Sequence, residues 1–263
     1  MGILAVPIAS KLRPPGVAEG VAERIARALS GVEVLPHIVD GYEVLREVPD
    51  ADAYVALVLT GGSEHLVLEL GLRRAPMLLV AHDSQNSLAA AVEALAELRR
   101  RGVASTLVLY SQGSSELGKA LRALRAYVLL RGGTIVLIGD PSPWLVYSSR
   151  GLEAATELLG LRPLRIGVEE LVERLRSADQ GEVRRALERL RGAEVADEAS
   201  GYLEKAAALY VALRSILDEL GGRVFTIRCF DLLKHGVTAC LALSMLNDEG
   251  YVAGCEGLSL IHI

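Results

Sequence analysis

The chain alternates short apolar runs with windows in which apolar residues recur every three or four positions. Residues 3–6, 32–35, 54–59, 77–81 and 106–110 are dominated by apolar side chains without the strict in-out alternation of a half-exposed strand. Parallel strands covered on both faces have that signature. Between them, Val17, Val21, Ile25 and Leu29 form one helical stripe, Leu88, Val92 and Leu95 a second, and Leu117, Leu121, Leu124 and Val128 a third. Strand and helix in regular succession predict βαβ units wound into a parallel sheet.

The pattern restarts after Arg131-Gly132-Gly133. Residues 134–138 predict a strand, followed by the breaker-rich turn Gly139-Asp140-Pro141-Ser142-Pro143. Another strand is predicted at 164–168, then two short charged helices at 169–177 and 182–191. A longer helix carries Leu203, Tyr210, Leu213, Leu217 and Leu220 on one face, and a strand follows at 223–228. The predicted fold class is α/β, with two doubly wound, Rossmann/flavodoxin-like parallel-sheet domains. The first spans residues 1–131 and the second, central one 132–257.

Composition narrows the function classes. With 263 residues, 51% of them hydrophobic, the chain has too much apolar side chain to stay disordered. A formal net charge of -5 argues against nucleic acid, whose phosphates call for a basic face. No apolar stretch approaches the roughly 18 to 20 residues that cross a bilayer. The N-terminus lacks a basic leader region, and three cysteines without repeated spacing predict reduced thiols, buried beside strands, in a cytoplasmic protein.

Candidate chemistry lies at predicted strand ends. Thr60-Gly61-Gly62-Ser63-Glu64-His65 and His82-Asp83-Ser84-Gln85-Asn86-Ser87 each follow a strand, where open α/β sheets bind ligands. Neither is a nucleotide fingerprint. Ordinary turn chemistry, with Ser87 as a helix N-cap, is the competing reading. Trp144, the sole tryptophan, is read either as a platform for a sugar ring or as packing. His235 with Cys229, Cys240 and Cys255 matches no zinc spacing. Toward the end, residues 238–246 predict a helix stopped by Asn247-Asp248-Glu249-Gly250. A buried strand at 251–255 then delivers Glu256 between Gly254 and Gly257, a place suited to a metal ligand or general base.

The last six residues, Leu258-Ser259-Leu260-Ile261-His262-Ile263, can be encoded by CTG TCT CTT ATA CAC ATC, the start of a transposase-end adapter used in sequencing libraries. They are read as a library scar and left out of the fold prediction. His262 then has no functional role, and the natural chain is expected to continue past Gly257.

Cys229-Phe230, Thr238-Ala239-Cys240-Leu241-Ala242, Leu246-Asn247-Asp248-Glu249-Gly250 and Cys255-Glu256-Gly257 resemble the central domain of the L-fucose isomerase and L-arabinose isomerase superfamily, especially its fucose-isomerase-like branch. Gly139 through Leu145, Thr60-Gly61-Gly62 and Asn86-Ser87-Leu88 resemble that branch at matching places. The resemblance implies a metal-dependent aldose–ketose isomerase, with Glu256 as both a ligand to Mn²⁺ or a similar divalent ion and a catalytic carboxylate moving a proton between C1 and C2 through an enediol. Ser84, Asn86 and Ser87, in a loop at a predicted strand end, and Trp144, whose ring can stack on a sugar, are the substrate-binding candidates. The resemblance also implies a homo-oligomer, hexamer or trimer, in which one subunit's first domain closes a neighbour's site.

The same resemblance puts a second carboxylate, a histidine ligand and a third, C-terminal domain beyond Cys-Glu-Gly. The family's usual Asp after that motif is Leu258 here. The 263-residue chain is therefore expected to be inactive by itself. Two other readings stand beside this one. In the first, the chain is a non-catalytic sugar-binding module of two α/β domains with a cleft between them. In the second, it is a relative that has lost catalysis and serves as an assembly subunit.

Overall fold

A computed structural model describes residues 2–13, 16–111, 115–147 and 151–257. The residues read as an adapter scar, 258–263, lie outside the described residues. The chain divides into two compact units, Met1–Leu129 and Leu130–Ile263.

The first unit runs β1 (Ile3–Ile8), α1 (Val17–Ala28), β2 (Glu33–Val34), α2 (Tyr42–Glu47), β3 (Ala53–Val58), α3 (Glu64–Gly71), β4 (Met77–Ala81), α4 (Ser87–Arg100), β5 (Ser105–Leu109) and α5 (Glu116–Leu130). The strands form one parallel sheet in the order β2-β1-β3-β4-β5. The near-continuous apolar runs are explained by two cores. Tyr54, Ala56 and Val58 point into one beneath α3 and α4, and Ala53, Val55 and Leu57 point into another beneath α1 and α5. Each fully buried Leu or Ile contributes about 1.5–3 kcal/mol, so neither face of β3 could become polar cheaply.

Two expectations for this unit are corrected. Strand β5 lies at the sheet edge, and its side chains are half-buried or exposed rather than buried. In α4 the Leu88, Val92, Leu95 stripe does not form the core face: Val92 is 50% exposed and Leu88 is exposed as well. The buried face carries Ala90, Ala91, Ala94 and Leu98, against which Leu66, Val67 and Leu70 of α3 pack. Two equally spaced stripes compete on this helix. The small one is the one buried, and at the helix start the Ser87 hydroxyl is fastened to the β3 backbone.

The second unit runs β6 (Thr134–Ile138), α6 (Gly151–Leu159), β7 (Arg162–Ile166), α7 (Val168–Arg176), α8 (Gln180–Arg189), α9 (Asp197–Ser200), α10 (Leu203–Leu220), β8 (Gly222–Ile227), a 3₁₀ helix (Cys229–His235), α11 (Cys240–Asp248) and β9 (Val252–Cys255). Its sheet is parallel throughout, in the order β7-β6-β8-β9. The main core joins β6 and β8 to α7, α8, α10 and α11. The opposite face is much thinner, with Ile135, Leu137 and Leu161 as its buried residues. Strand β9, expected to be buried, is an edge strand of the described sheet with intermediate to exposed side chains. Strand β7 is an edge strand too, and largely exposed.

Candidate functional site

In the second sheet, the chain leaves β6 toward β7 on one side and returns to β8 on the other. That reversal between β6 and β8 is a topological switch point, the place at which open α/β sheets carry ligand sites. The loop after β6 carries Asp140 to Trp144. The segment after β8 carries Cys229 and Phe230, and β9, alongside β8, ends at Glu256.

Several backbone bonds pin these ends together. Ser142 N–H donates to Glu256 O at 3.2 Å, Gly257 N–H to Ile227 O at 3.1 Å, and Arg228 N–H to Ile138 O at 2.9 Å. Glu256 has φ 59°, a left-handed conformation that a non-glycine residue adopts at a cost of about 1–2 kcal/mol. Gly257 follows with φ 76°, and a Cβ on it would lie 2.7 Å from Pro141 Cα, so glycine is required there. The two turns are in direct contact.

Sequence-predicted Trp144 and Glu256, 112 residues apart, are brought together: the indole Nε1–H donates to Glu256 Oε2 at 3.4 Å. Trp144 remains 56% exposed. Its ring meets Phe230 edge-on, with centroids 5.5 Å apart and planes at 83°, a favourable aromatic geometry. Asp140, on the same loop, pairs with Arg165 at 3.1 Å. The Ser142 hydroxyl is buried without a hydrogen-bond partner among the described residues. The result is an aromatic wall beside a partly exposed carboxylate, with a spare polar group beneath.

A polar network behind this crest holds β9 in place. Tyr210 on α10 donates to Glu249 Oε1 at 2.5 Å, Arg189 on α8 contacts the same oxygen, and Arg214 Nε lies 3.3 Å from the other. Burial pushes the Glu249 carboxyl up. The hydrogen bonds from Tyr210 and Arg189 and the charges of Arg214 and Arg189 outweigh it, leaving Glu249 below the ordinary carboxylate value. Asn247 Oδ1 accepts from Ala253 N–H at 3.1 Å, and Tyr251 O–H donates to Asp218. The Asn247-Asp248-Glu249-Gly250 stretch thus acts as an anchor that fixes where β9 begins.

The three cysteines are free thiols, but none is fully buried as expected: Cys240 is exposed, and Cys229 and Cys255 are intermediate. Cys229 and Cys255 have their sulfurs 2.7 Å apart. Sequence spacing could not pair them, because it does not reveal that β8 and β9 are neighbours.

The first unit has its own switch point, between β1 and β3. A crevice of about 440 Å³ there is lined by Ser10, Thr60, Gly61, Gly62, Gln85 and Asn86 among others. Thr60 Oγ1 accepts from Ser10 N–H at 2.8 Å, and Gly61 N–H donates to Gln85 O at 2.8 Å. Gln85 and Asn86 both have left-handed φ, 56° and 55°. Ser84 and Asn86 are exposed on this turn. Ser87 is not the N-cap; Asn86 holds that position without a side-chain capping bond. The Ser87 hydroxyl is wholly buried, donating to Val58 O at 2.5 Å and accepting from His82 N–H at 2.9 Å. With both bonds made to backbone, it is a structural tie between β3 and β4. Ser84, Asn86 and Ser87 therefore belong to one unit, and Trp144 and Glu256 to the other.

Among the described residues, no three His, Cys, Asp or Glu side chains converge so as to hold a metal ion. The residues described supply Glu256 as a single carboxylate donor and do not by themselves fit the shell a divalent ion requires. Among the described residues, no helix is long and apolar enough to cross a membrane.

Together these features define a two-unit, parallel-sheet α/β protein whose candidate site sits at the strand ends of the second unit. No protein-family model matches the chain, and no curated protein does.

Proposed function

We propose that the chain belongs to a cytoplasmic, homo-oligomeric aldose–ketose isomerase of the fucose-isomerase-like kind, and that Glu256 is its proton-transferring carboxylate. The observation that carries this reading is Glu256 itself. It is held in a left-handed backbone conformation at a strand end, with its carboxylate beside a half-exposed indole. Strain of that sort persists where surrounding structure enforces it, and functional sites are where it concentrates.

In this reading the exposed face of Trp144 packs against the apolar face of an open-chain sugar, and its N–H keeps the Glu256 carboxylate oriented. Glu256 takes the proton from C2 of the aldose and returns it to C1, while the hydroxyl proton passes from O2 to O1. The resemblance supplies Mn²⁺ or a similar ion, which would stabilise charge on the two sugar oxygens when bound. The described residues contribute one ligand toward it, so no step is routed through it here.

The experiment is solvent-deuterium exchange into a panel of aldoses with Mn²⁺. It compares the 263-residue chain, the product of the complete reading frame of its source gene, and that product carrying Glu256→Gln. The proposal expects exchange by the complete product, a loss of at least about a thousandfold in the Gln variant, and none by the 263-residue chain. Saturable sugar binding by the chain in excess chelator, with no exchange by any form, would replace the isomerase reading with the sugar-binding module.

A further inference from the structure

We propose that Cys229 and Cys255 are a reversible dithiol–disulfide pair whose state sets the shape of the Glu256–Trp144 crest. The sulfurs are 2.7 Å apart, nearer than unbonded sulfurs rest and within a short movement of the about 2.05 Å bond. Both side chains are partly exposed, so a small oxidant can reach them. Their positions are set by backbone that need not rearrange: Cys255 pairs in register with Ile227, two residues before Cys229, and Gly257 N–H holds Ile227 O.

Each cysteine immediately precedes a residue that the Trp144 indole contacts. Cys229 precedes Phe230, on whose ring the indole sits edge-on, and Cys255 precedes Glu256, which accepts the indole N–H. Closing the S–S bond draws these two walls toward each other, and opening it releases them. Trp144 spans the joint.

The oxidant is a low-molecular-weight disulfide such as glutathione disulfide. One of the two cysteine thiolates attacks one of its sulfurs, breaking that S–S bond and releasing one thiolate. The other cysteine thiolate then attacks the protein sulfur of the mixed disulfide, releasing the second. The protein pair loses two electrons and two protons; the small disulfide gains them and leaves as two thiols.

The test is to equilibrate the chain in graded mixtures of reduced and oxidised glutathione. Free thiols are then trapped by alkylation and the peptides mapped, with Trp144 emission read on the same samples. The expected result is a Cys229–Cys255 linked peptide with Cys240 alkylated, and an emission shift that follows the linked fraction. Cys229→Ser should abolish both, and Cys240→Ser, at an exposed position, should leave both intact. Linkage through Cys240, glutathione adducts without a 229–255 link, or full alkylation of all three cysteines at every ratio would overturn the proposal. So would linkage with unchanged Trp144 emission. Neither readout depends on catalysis, so the result stands apart from the isomerase assay.

Discussion

Tyr210 and Glu249, 39 residues apart, share a hydrogen bond of 2.5 Å that ties α10 to the end of α11 just ahead of β9. Burial, and then this bond, raise the Tyr210 phenol above its ordinary value, so it stays protonated and donating. Tyr210→Phe should destabilise the second unit by about 1–2 kcal/mol. Glu249→Ala leaves Tyr210, Arg189 and Arg214 without their shared acceptor and should cost more, about 2–3 kcal/mol. Urea unfolding of the two variants checks the order.

The same carboxylate makes stability depend on acid. Glu249 titrates below its ordinary value in the folded chain, so its contribution is complete above the unfolded value of about 4.3 and is lost as pH falls through the lower folded one. The Tm difference between the native chain and Glu249→Gln should be largest near neutrality and shrink toward about pH 3. A constant difference across that range would contradict the assignment.

Glu256→Gly should behave in the opposite sense to most substitutions. It relieves a left-handed residue, so stability should rise by up to about 1 kcal/mol, while the carboxylate is lost. Thermal unfolding measured beside sugar exchange would separate the two effects. A destabilised variant would mean that the carboxylate stabilises the turn rather than burdening it.

Gly257→Ala presses a methyl group onto Pro141 Cα at 2.7 Å in a φ of 76°, where the obstacle is backbone and cannot rotate away. A loss of about 2–3 kcal/mol is expected, with Trp144 emission altered because the β6 and β9 turns separate.

Ser87→Ala should cost about 2 kcal/mol, since it strips the buried Val58 carbonyl of a donor and the His82 amide of an acceptor. Sugar affinity, measured by calorimetry on the folded variant, should not change. A selective loss of affinity without loss of stability would restore the substrate-binding role.

Parallel sheets in both units were legible in the sequence because β1, β3, β4 and β6 bury both faces, and two-sided burial writes a continuous apolar run. Edge strands β5 and β9 carry partly apolar runs with fewer neighbours, and a sequence does not say which strand is last in a sheet. The α4 stripe misled because alanines at the same spacing, with Leu98, form the face that packs against α3. Within the site, Glu256 and Trp144 stood out as a strand-end carboxylate and a lone indole. Phe230 and the Cys229–Cys255 contact are products of strand order, which local patterns do not encode. The helices α2 and α9, of 6 and 4 residues, are too short for an apolar stripe to repeat.

The contact between Trp144 and Glu256 also has a kinetic consequence. It closes a loop of 112 residues, and such closures are entropically expensive until the intervening sheet has formed. The crest therefore assembles late, after β6, β8 and β9 have aligned, and the single tryptophan serves as an internal clock for the final step of folding. A refolding trace followed by its emission should lag one followed by backbone circular dichroism.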